Sequence, residues 1–458
     1  MTKSLLAISI AVLLAGCSMA PAYQRPETPA GADWQTPLDS VTVTGWRQQF
    51  NDPQLQRLIT LGLENNRDLR LSVLNVQSYE AQYRIQRAAQ LPTLQASASS
   101  TRQQTSGELN GTGAEQTSSQ FGAQIGVTAY ELDLFGRIQS LKDKALETYL
   151  SQVETQRSTQ IALVASLADA YLALIADQEL LELSQSTLQT EQESHALTQK
   201  KFELGAASDM ELAQSRTTLE SARVNVAQYQ RLVLQDRNAL TLLLGTTLPA
   251  DLVLPKSLSE VKLASIPVGA PSSLLQQRPD ILAAEHSLKA ANANIGAARA
   301  AFFPTISLTA TAGSASTELG HLFDGGTGTW SFIPQLNLPL FDGGKRVADL
   351  DVAEVAAKQA VASYEKAIQT AFKEVADALG SQAYYQQQVN AQIALVDANQ
   401  RYYQLAEYRY AQGVDSYLTR LDAQRSLFAA RQSMVSTRLA QLSNQISLFK
   451  AVGGGWQE

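Results

Sequence analysis

The sequence of 458 residues contains a single cysteine, Cys17, which excludes a disulfide framework and a thiolate metal site. Its three histidines, His195, His286 and His321, lie far apart, outside the motifs of zinc proteases, nucleophile-elbow hydrolases and phosphate-binding loops. We therefore predict no catalytic residues and no metal site. The formal net charge of −7, without a basic run, argues against nucleic acid as a partner.

Long apolar runs are also absent after the first 17 residues, because no later stretch approaches the roughly 20 apolar residues of a membrane-spanning helix. The N-terminus itself reads as a bacterial export signal, with an apolar run from Leu5 to Leu14 and a lipobox that ends at Cys17. We predict a signal peptide over 1–16 and a covalent lipid on Cys17 that tethers the protein to a membrane. An ordinary signal peptide with an incidental cysteine is the alternative. Ser18 fits the sorting pattern of outer-membrane lipoproteins.

Glycine and proline are missing from Arg137 to Leu204, a run that as one helix would span on the order of 100 Å. After Gly205, and again after Gly413, apolar residues recur every seven positions. The two series are Leu212, Leu219, Val226, Val233 and Leu240, and Leu421, Phe428, Val435, Leu442 and Phe449. This repeat predicts two long helical hairpins that pack as coiled coils. A soluble coiled-coil protein is the alternative on this pattern alone.

The chain is duplicated internally at an offset of about 210 residues. Arg87 and Pro92 in the first copy correspond to Arg299 and Pro304 in the second. In each copy the apolar period then changes to two, in paired stretches separated by a polar or glycine-rich loop. We interpret these stretches as β-hairpins.

The predicted organisation follows from these patterns. A lipidated segment over 17–50 precedes the first repeat (51–247), and a proline-containing equatorial connector (248–273) leads to the second repeat (274–452) and a tail (453–458). Each repeat contains a helix, a β-hairpin and a long helical hairpin. The β-hairpins are predicted over 93–135 and 305–341, and the helical hairpins over 137–244 and 346–450.

Strands with alternating faces can lie in a bilayer only as a closed barrel, because every backbone N–H and C=O must be paired there. Four strands do not close a barrel, so several protomers must pool their strands, giving 12 strands for a trimer or 8 for a dimer. The long helices would then project to one side as a tube. A soluble β-subdomain is the alternative reading of the strands.

Several motifs in a fixed order resemble the TolC-like outer membrane factors, and among these the OprM-like lipoprotein channels of tripartite RND drug efflux pumps. They are ENNRDL (64–69), ELDLFGR (131–137), RPDI (278–281), IGAARAAFFP (295–304), YEKAIQTAFKEVAD (364–377) and GVDSYLTRLDAQRSL (413–427). The resemblance implies a mainly α fold with a β-barrel part. It implies a homotrimer whose 12-stranded outer-membrane barrel continues as a 12-helix periplasmic α-barrel with an equatorial belt.

The resemblance also implies a function. The protein would be the outer-membrane exit channel of a tripartite multidrug efflux system, and it would conduct drugs passively from a periplasmic adaptor and a proton-driven inner-membrane RND pump. Its location would be the outer membrane, where it is anchored by lipid. The alternatives are a duct for proteins or metal ions, then a structural or adhesive envelope lipoprotein, and last an enzyme.

Candidate gate residues come from the same resemblance. Leu418 and Asp422 match positions that narrow the periplasmic aperture, and their spacing of four places both on one helix face. Three symmetry copies of Asp422 would form an acidic ring. The alternative is that Asp422 is a solvated position of a coiled coil.

The resemblance marks further residues around the hairpin tips. Arg409 and Tyr410 match positions that tie the second hairpin to its neighbours, and Asp177 is the expected partner. Arg409 as an ordinary surface charge is the alternative. The turns at Gly205 and Gly413 are the expected docking points of the adaptor.

Overall fold

The computed structural model describes residues 18–27, 45–111, 113–264 and 278–454. The predicted signal peptide, Cys17, much of the predicted N-terminal segment, the later half of the connector and residues 455–458 lie outside the described residues. The chain divides into two compact units. Among the described residues, the first unit comprises those within 1–27, 76–152 and 283–364, and the second comprises those within 28–75, 153–282 and 365–458.

The elements repeat in the same order in the two halves of the chain. The helices are α1 (Trp46–Gln49), α2 (Pro53–Asn65), α3 (Arg67–Ala88), α4 (Gly107–Asn110), α5 (Arg137–Glu203), α6 (Asp209–Leu244), α7 (Pro279–Ala300), α8 (Lys345–Ala411) and α9 (Tyr417–Ala451). The strands are β1 (Leu94–Thr105), β2 (Gln116–Leu132), β3 (Thr305–Ser316) and β4 (Gly328–Asn337). Both α5 and α8 have 67 residues, and both α3 and α7 have 22. This agreement confirms the internal duplication.

The structure divides the helix expected at the start of the first repeat into two, α2 and α3. The break is at Asn66, whose backbone is extended (φ −60°, ψ 132°). Its side-chain oxygen accepts the Leu69 N–H at 2.8 Å and so caps α3, while its amide donates to the Leu243 carbonyl at 2.8 Å. A short polar side chain that caps one helix and contacts another stabilises such a break better than a continuous helix does.

In the first unit the four strands form one antiparallel sheet in the order β1-β2-β3-β4. The pairing of β2 with β3 joins the two repeats, and its register shifts between Val127 and Tyr130 at a bulge where Ala129 has a positive φ of 51°. Large apolar side chains on β4 are exposed, including Trp330, Phe332 and Leu336. β4 ends at Asn337, so residues 338–341 of the predicted hairpin lie beyond the strand.

The apolar core of the second unit forms around α2 and α5. Fully buried side chains include Phe50, Leu55, Leu58, Ile59, Leu167, Leu172, Ile175 and Phe449. Within the described residues, α5 also contains one 18-residue window that is apolar enough to cross a membrane, of which 61% is buried. The sequence was expected to lack such a window. Because most of it is buried, a core helix explains its composition.

Candidate gate at the helical tips

The two long hairpins, both within the second unit at their tips, turn through the same motif. Gly205 (φ +75°) follows α5 and Gly413 (φ +71°) follows α8, in the left-handed region that glycine adopts without steric cost. The Gly205 N–H donates to the Phe202 carbonyl at 2.9 Å, and the Ala206 N–H donates to the Lys201 carbonyl at 2.7 Å. The turn at Gly413 has the same two bonds, both 2.9 Å long. This is the Schellman end of a helix, and it reverses the chain in both hairpins.

The return helices begin at serine caps. Ser208 accepts the Glu211 N–H at 3.2 Å, and Glu211 in turn accepts the Ser208 N–H at 2.9 Å, which completes a capping box on α6. Ser416 caps α9 by accepting the Thr419 N–H at 3.3 Å. The start of α9, which carries the candidate gate residues, is therefore fixed locally by Ser416.

Leu418 and Asp422 share an exposed face of α9. Leu418 is 58% exposed and Asp422 is also exposed, while Tyr417 and Leu421 beside them are buried. The helix thus directs the two candidate gate residues away from the packed interior of their own protomer. This placement is compatible with a role in the aperture, which stays a prediction.

Arg409 closes the second turn. Its Nε donates to Asp415 Oδ2 at 2.7 Å and its second terminal nitrogen donates to Oδ1 at 2.9 Å, a bidentate pair across Gly413. These hydrogen bonds lower the pKa of the Asp415 carboxyl. Arg409 therefore has a partner within its own hairpin, in addition to any role between hairpins.

Tyr410 links the two hairpins of one chain. The Nζ atom of Lys201, at the end of α5, lies 5.0 Å from the Tyr410 ring centroid and donates to its hydroxyl at 3.4 Å. The Tyr417 ring lies 5.8 Å from the Tyr410 ring, edge to face. The first repeat thus contacts the second repeat at the tip through an aromatic cluster.

Asp177 lies beside a second carboxyl group of the first hairpin. It lies about seven turns before the end of α5, where its carboxyl interacts electrostatically with that of Asp236 on α6. Burial raises the pKa of both groups, and the charge of Asp177 raises the pKa of Asp236 further, to about 7. Within the described residues of one protomer, Arg409 pairs with Asp415, and the predicted link between Arg409 and Asp177 stays a prediction.

Arg420 is the most connected charged residue of the tip, and sequence reasoning did not select it. Its guanidinium is buried, donates a short hydrogen bond to Glu407 on α8, and donates to Ser194 Oγ on α5 at 2.9 Å. It lies 5.8 Å from the Tyr410 ring centroid and 5.9 Å from that of Tyr417. One side chain thus joins α9 to α5 and α8.

The histidines form three separate polar contacts. His195 Nδ1 lies 2.8 Å from Ser215 Oγ, His286 Nδ1 lies 2.6 Å from Glu147, and His321 Nδ1 lies 2.6 Å from Asp324. Across the described ranges, no group of three or more His, Cys, Asp or Glu side chains is arranged to hold a metal ion. The prediction of no metal site stays a prediction for the whole chain.

Comparison with known families supplies the identity. The family model described as "Outer membrane efflux protein" matches residues 58–246 and 270–454, which are the two repeats. The chain belongs to this family. Over its full length, the efflux protein is 54% identical to the antibiotic efflux pump outer membrane protein ArpC of Pseudomonas putida, 97% of which is covered.

Solved structures agree with this assignment. The efflux protein superposes on a membrane protein from Pseudomonas aeruginosa with a TM-score of 0.90 and 41% identity, covering 96% of this chain and 98% of that one. It superposes on the open state of the MtrE outer membrane channel of Neisseria gonorrhoeae with a TM-score of 0.86 and 38% identity, covering 96% of this chain and 99% of that one. The predicted fold and outer-membrane location are confirmed. The efflux protein is an outer-membrane exit channel, and its relatives are efflux channels rather than enzymes.

A signal for Arg420 was present in the sequence of the efflux protein. Tyr417, Arg420, Leu421 and Gln424 are spaced by three and four along α9, and all four are buried. An arginine on the apolar stripe of a helix must find partners inside the protein, since a buried charge is stable only when it is paired. Its partners, on α5 and α8, are set by tertiary packing.

Proposed function

We propose that the efflux protein works as a homotrimer and is the passive exit duct for drugs in a tripartite efflux system. The observation that carries this proposal is the sheet. Within the described chain, β1 and β4 each pair on one side only, so both edges of the four-stranded sheet are available. Three copies pool twelve strands, which is a size at which membrane barrels close.

The exposed apolar residues of the strands support a barrel in lipid. Trp330 is 81% exposed and Phe332 is 60% exposed on β4, and Ile125 is 51% exposed on β2. In a soluble domain such side chains would favour aggregation, whereas on the outer face of a barrel they contact lipid. The long helices α5, α6, α8 and α9 then supply four members per protomer to a periplasmic tunnel of twelve.

The energy for export must come from partners. The family motifs include no nucleotide-binding loop, and an open duct does no work by itself. A periplasmic adaptor that docks at the turns of Gly205 and Gly413, and a proton-driven RND pump in the inner membrane, are the partners we propose. ArpC, a relative that matches over the whole chain, is named for an antibiotic efflux pump, which favours drugs as the exported class.

A lipid on Cys17 would be placed by the segment that follows it. In the first unit, Arg25 pairs with Glu285 on α7 at 2.5 Å, and Asn292 of α7 donates to the Pro21 carbonyl at 2.8 Å. A Cβ on Gly296 would come within 2.8 Å of the Ala20 backbone, so glycine permits this close approach. The segment after Cys17 therefore packs along α7 towards the start of β3, where the barrel begins. This position suits a chain anchored by lipid beside its barrel.

The test of the proposed duct is its resting conductance in planar bilayers. The efflux protein should give ohmic steps, and the double replacement Leu418→Ala with Asp422→Ala should raise the resting conductance and lower cation preference, because it widens the aperture and removes an acidic ring. Arg409→Ala should loosen the same turn while leaving the cation preference unchanged. Wild-type conductance and selectivity in an assembled double variant would show that these residues do not line the constriction.

A further inference from the structure

Arg420 lies in the first turn of α9, two residues after Leu418 and two residues before Asp422. Because successive helix residues are rotated by about 100°, the side chain of Arg420 points away from the face that carries the other two. Burial agrees with this geometry, since the Arg420 side chain is only 8% exposed. The helix turn that carries the candidate gate is therefore anchored from its opposite face by this arginine.

The anchor reaches both repeats of the chain. Arg420 Nε binds Glu407 on α8, and Arg420 Nη1 binds Ser194 on α5 at 2.9 Å. The guanidinium is planar and its donors are fixed relative to one another. Two bonds to two different helices therefore restrict both the rotation of α9 about its axis and its separation from α5.

Aromatic rings surround the same guanidinium. The centroids of Tyr410 and Tyr417 lie 5.8 Å and 5.9 Å from it, within the range of cation–π attraction. Lys201 contacts the Tyr410 ring at 5.0 Å from α5. Two cations, one from each repeat, thus share one ring. Movement of α9 away from α5 and α8 would break the contact of Arg420 with Tyr410 together with its bonds to Ser194 and Glu407.

The burial of Arg420 distinguishes it from Arg409. Arg409 and its partner Asp415 form a largely solvated pair, with 53% of the arginine side chain exposed, and such pairs contribute little to stability. A buried guanidinium costs much more to leave unpaired. If α9 left its observed position, the guanidinium of Arg420 would lose its hydrogen-bond partners. The observed position of α9 is therefore favoured while Glu407 and Ser194 are in place.

We propose that Arg420 is the positioning residue of the gate, which holds the first turn of α9 so that Leu418 and Asp422 narrow the aperture of the resting channel. This inference rests on the proposed function, because it takes Leu418 and Asp422 as aperture residues. Opening then requires that the contacts of Arg420 with Glu407, Ser194 and Tyr410, which lie on other helices, exchange or break. Such a set of contacts can have two discrete arrangements, which is what a bistable gate needs.

The test compares two arginines of α9. Arg420→Met keeps most of the apolar volume and removes the guanidinium, and it should raise the resting conductance of trimers in planar bilayers several-fold. Arg431→Met is the matched control, because Arg431 is exposed and donates to Gln400 of α8 at 2.5 Å without reaching α5. The control should keep the wild-type conductance. Equal conductance of Arg420→Met, Arg431→Met and wild type would overturn the inference.

Two further variants separate positioning from folding. Arg420→Lys keeps the charge but not the fixed pair of donors, so its conductance should lie between wild type and Arg420→Met. Glu407→Gln weakens one hydrogen bond of Arg420 and leaves the bond to Ser194, so it should raise the resting conductance less than Arg420→Met does. If Arg420→Met does not assemble, Glu407→Gln becomes the deciding variant. A Glu407→Gln trimer with wild-type conductance would then overturn the inference.

The outcomes also distinguish this inference from the proposed function. If the double variant of Leu418 and Asp422 raises conductance while the Arg420 and Glu407 variants do not, the gate is assigned correctly and Arg420 does not position it. If none of the variants changes conductance in assembled trimers, the aperture itself is wrongly assigned. A raised conductance in every variant except Arg431→Met supports both the proposed aperture and the positioning role of Arg420.

Discussion

Asp177 and Asp236 bring two carboxyl groups into contact between α5 and α6. Burial and the charge of Asp177 raise the pKa of Asp236 to about 7, so Asp236 titrates close to neutral pH. The ordinary pKa of 3.8 applies in the unfolded chain, so the folded protein binds the proton of Asp236 more tightly. Protonated Asp236 therefore stabilises the folded protein relative to the unfolded chain. This contribution is complete below about pH 4 and is lost as the pH rises to about 7.

Asp236→Asn should therefore stabilise the protein, and the gain should grow between pH 4 and pH 7 and stay constant above. One pKa unit corresponds to about 1.4 kcal/mol, and solvent screening at this partly buried pair reduces the full effect towards that size. Thermal melting of the detergent-solubilised protein at pH 5 and pH 8 measures the difference. The control is Asp397→Asn, at an exposed position of α8, which should show no such trend. A gain in stability that is the same at both pH values would contradict the raised pKa of Asp236.

Spacing within one helix was predictable from the sequence, and pairing between distant side chains was not. The exposed face shared by Leu418 and Asp422 follows from their separation of four residues. The partner of Asp177 depends on which residue of α6 lies opposite to it in the hairpin, and a carboxyl pair is the least expected choice by charge. Arg420 shows the same limit, because its partners Ser194 and Glu407 lie on two other helices.

At the scale of elements, each pair of strands is joined by a loop at one end. The long helices follow from the other end of the strands. β1 and β2 are joined by residues 106–115, and β3 and β4 by residues 317–327. The chain leaves β2 directly into α5 and leaves β4 directly into α8. In a barrel with periplasmic helices these two loops must therefore be on the outer surface of the cell.

Epitope tags inserted after Gly111 and after Gly325 should be detected on intact cells. Both glycines have open space around the position of a Cβ, so an insertion disturbs little packing there. Antibody labelling before and after permeabilisation is the measurement. A tag after Gly205, in the periplasmic turn, is the control and should be labelled only after permeabilisation. Labelling of the loop tags only in permeabilised cells would invert the orientation.

The helices and strands with long, regular sequence patterns were predictable from the sequence. The absence of glycine and proline over Arg137–Leu204 already predicts α5, and the capped turn at Gly205 ends it. The break at Asn66 was missed because its stabilising bond reaches the Leu243 carbonyl of α6, far along the chain. The end of β4 was predicted too late because apolar residues continue past Asn337, although the pairing of β4 with β3 stops there.

At the scale of the whole molecule, the proposed homotrimer gives partners to both edges of the sheet. Backbone groups in a bilayer have no water to bind, so in the proposed barrel β1 and β4 pair with strands of neighbouring protomers. A lipid on Cys17 adds attachment to the membrane but satisfies none of these groups. Assembly and lipidation should therefore be separable.

Cys17→Ala should lose the lipid and still form trimers that insert in the outer membrane, because strand pairing, with its hydrogen bonds and buried apolar surface, is unchanged by the substitution. Metabolic labelling with palmitate measures the lipid, and electrophoresis in mild detergent with and without heating measures the heat-dissociable trimer. A lipidated wild type and an unlipidated, trimeric variant are the expected results. Recovery of either protein as a folded monomer from detergent would contradict the pooled barrel, because a folded four-stranded sheet would then be stable with both edges unpaired.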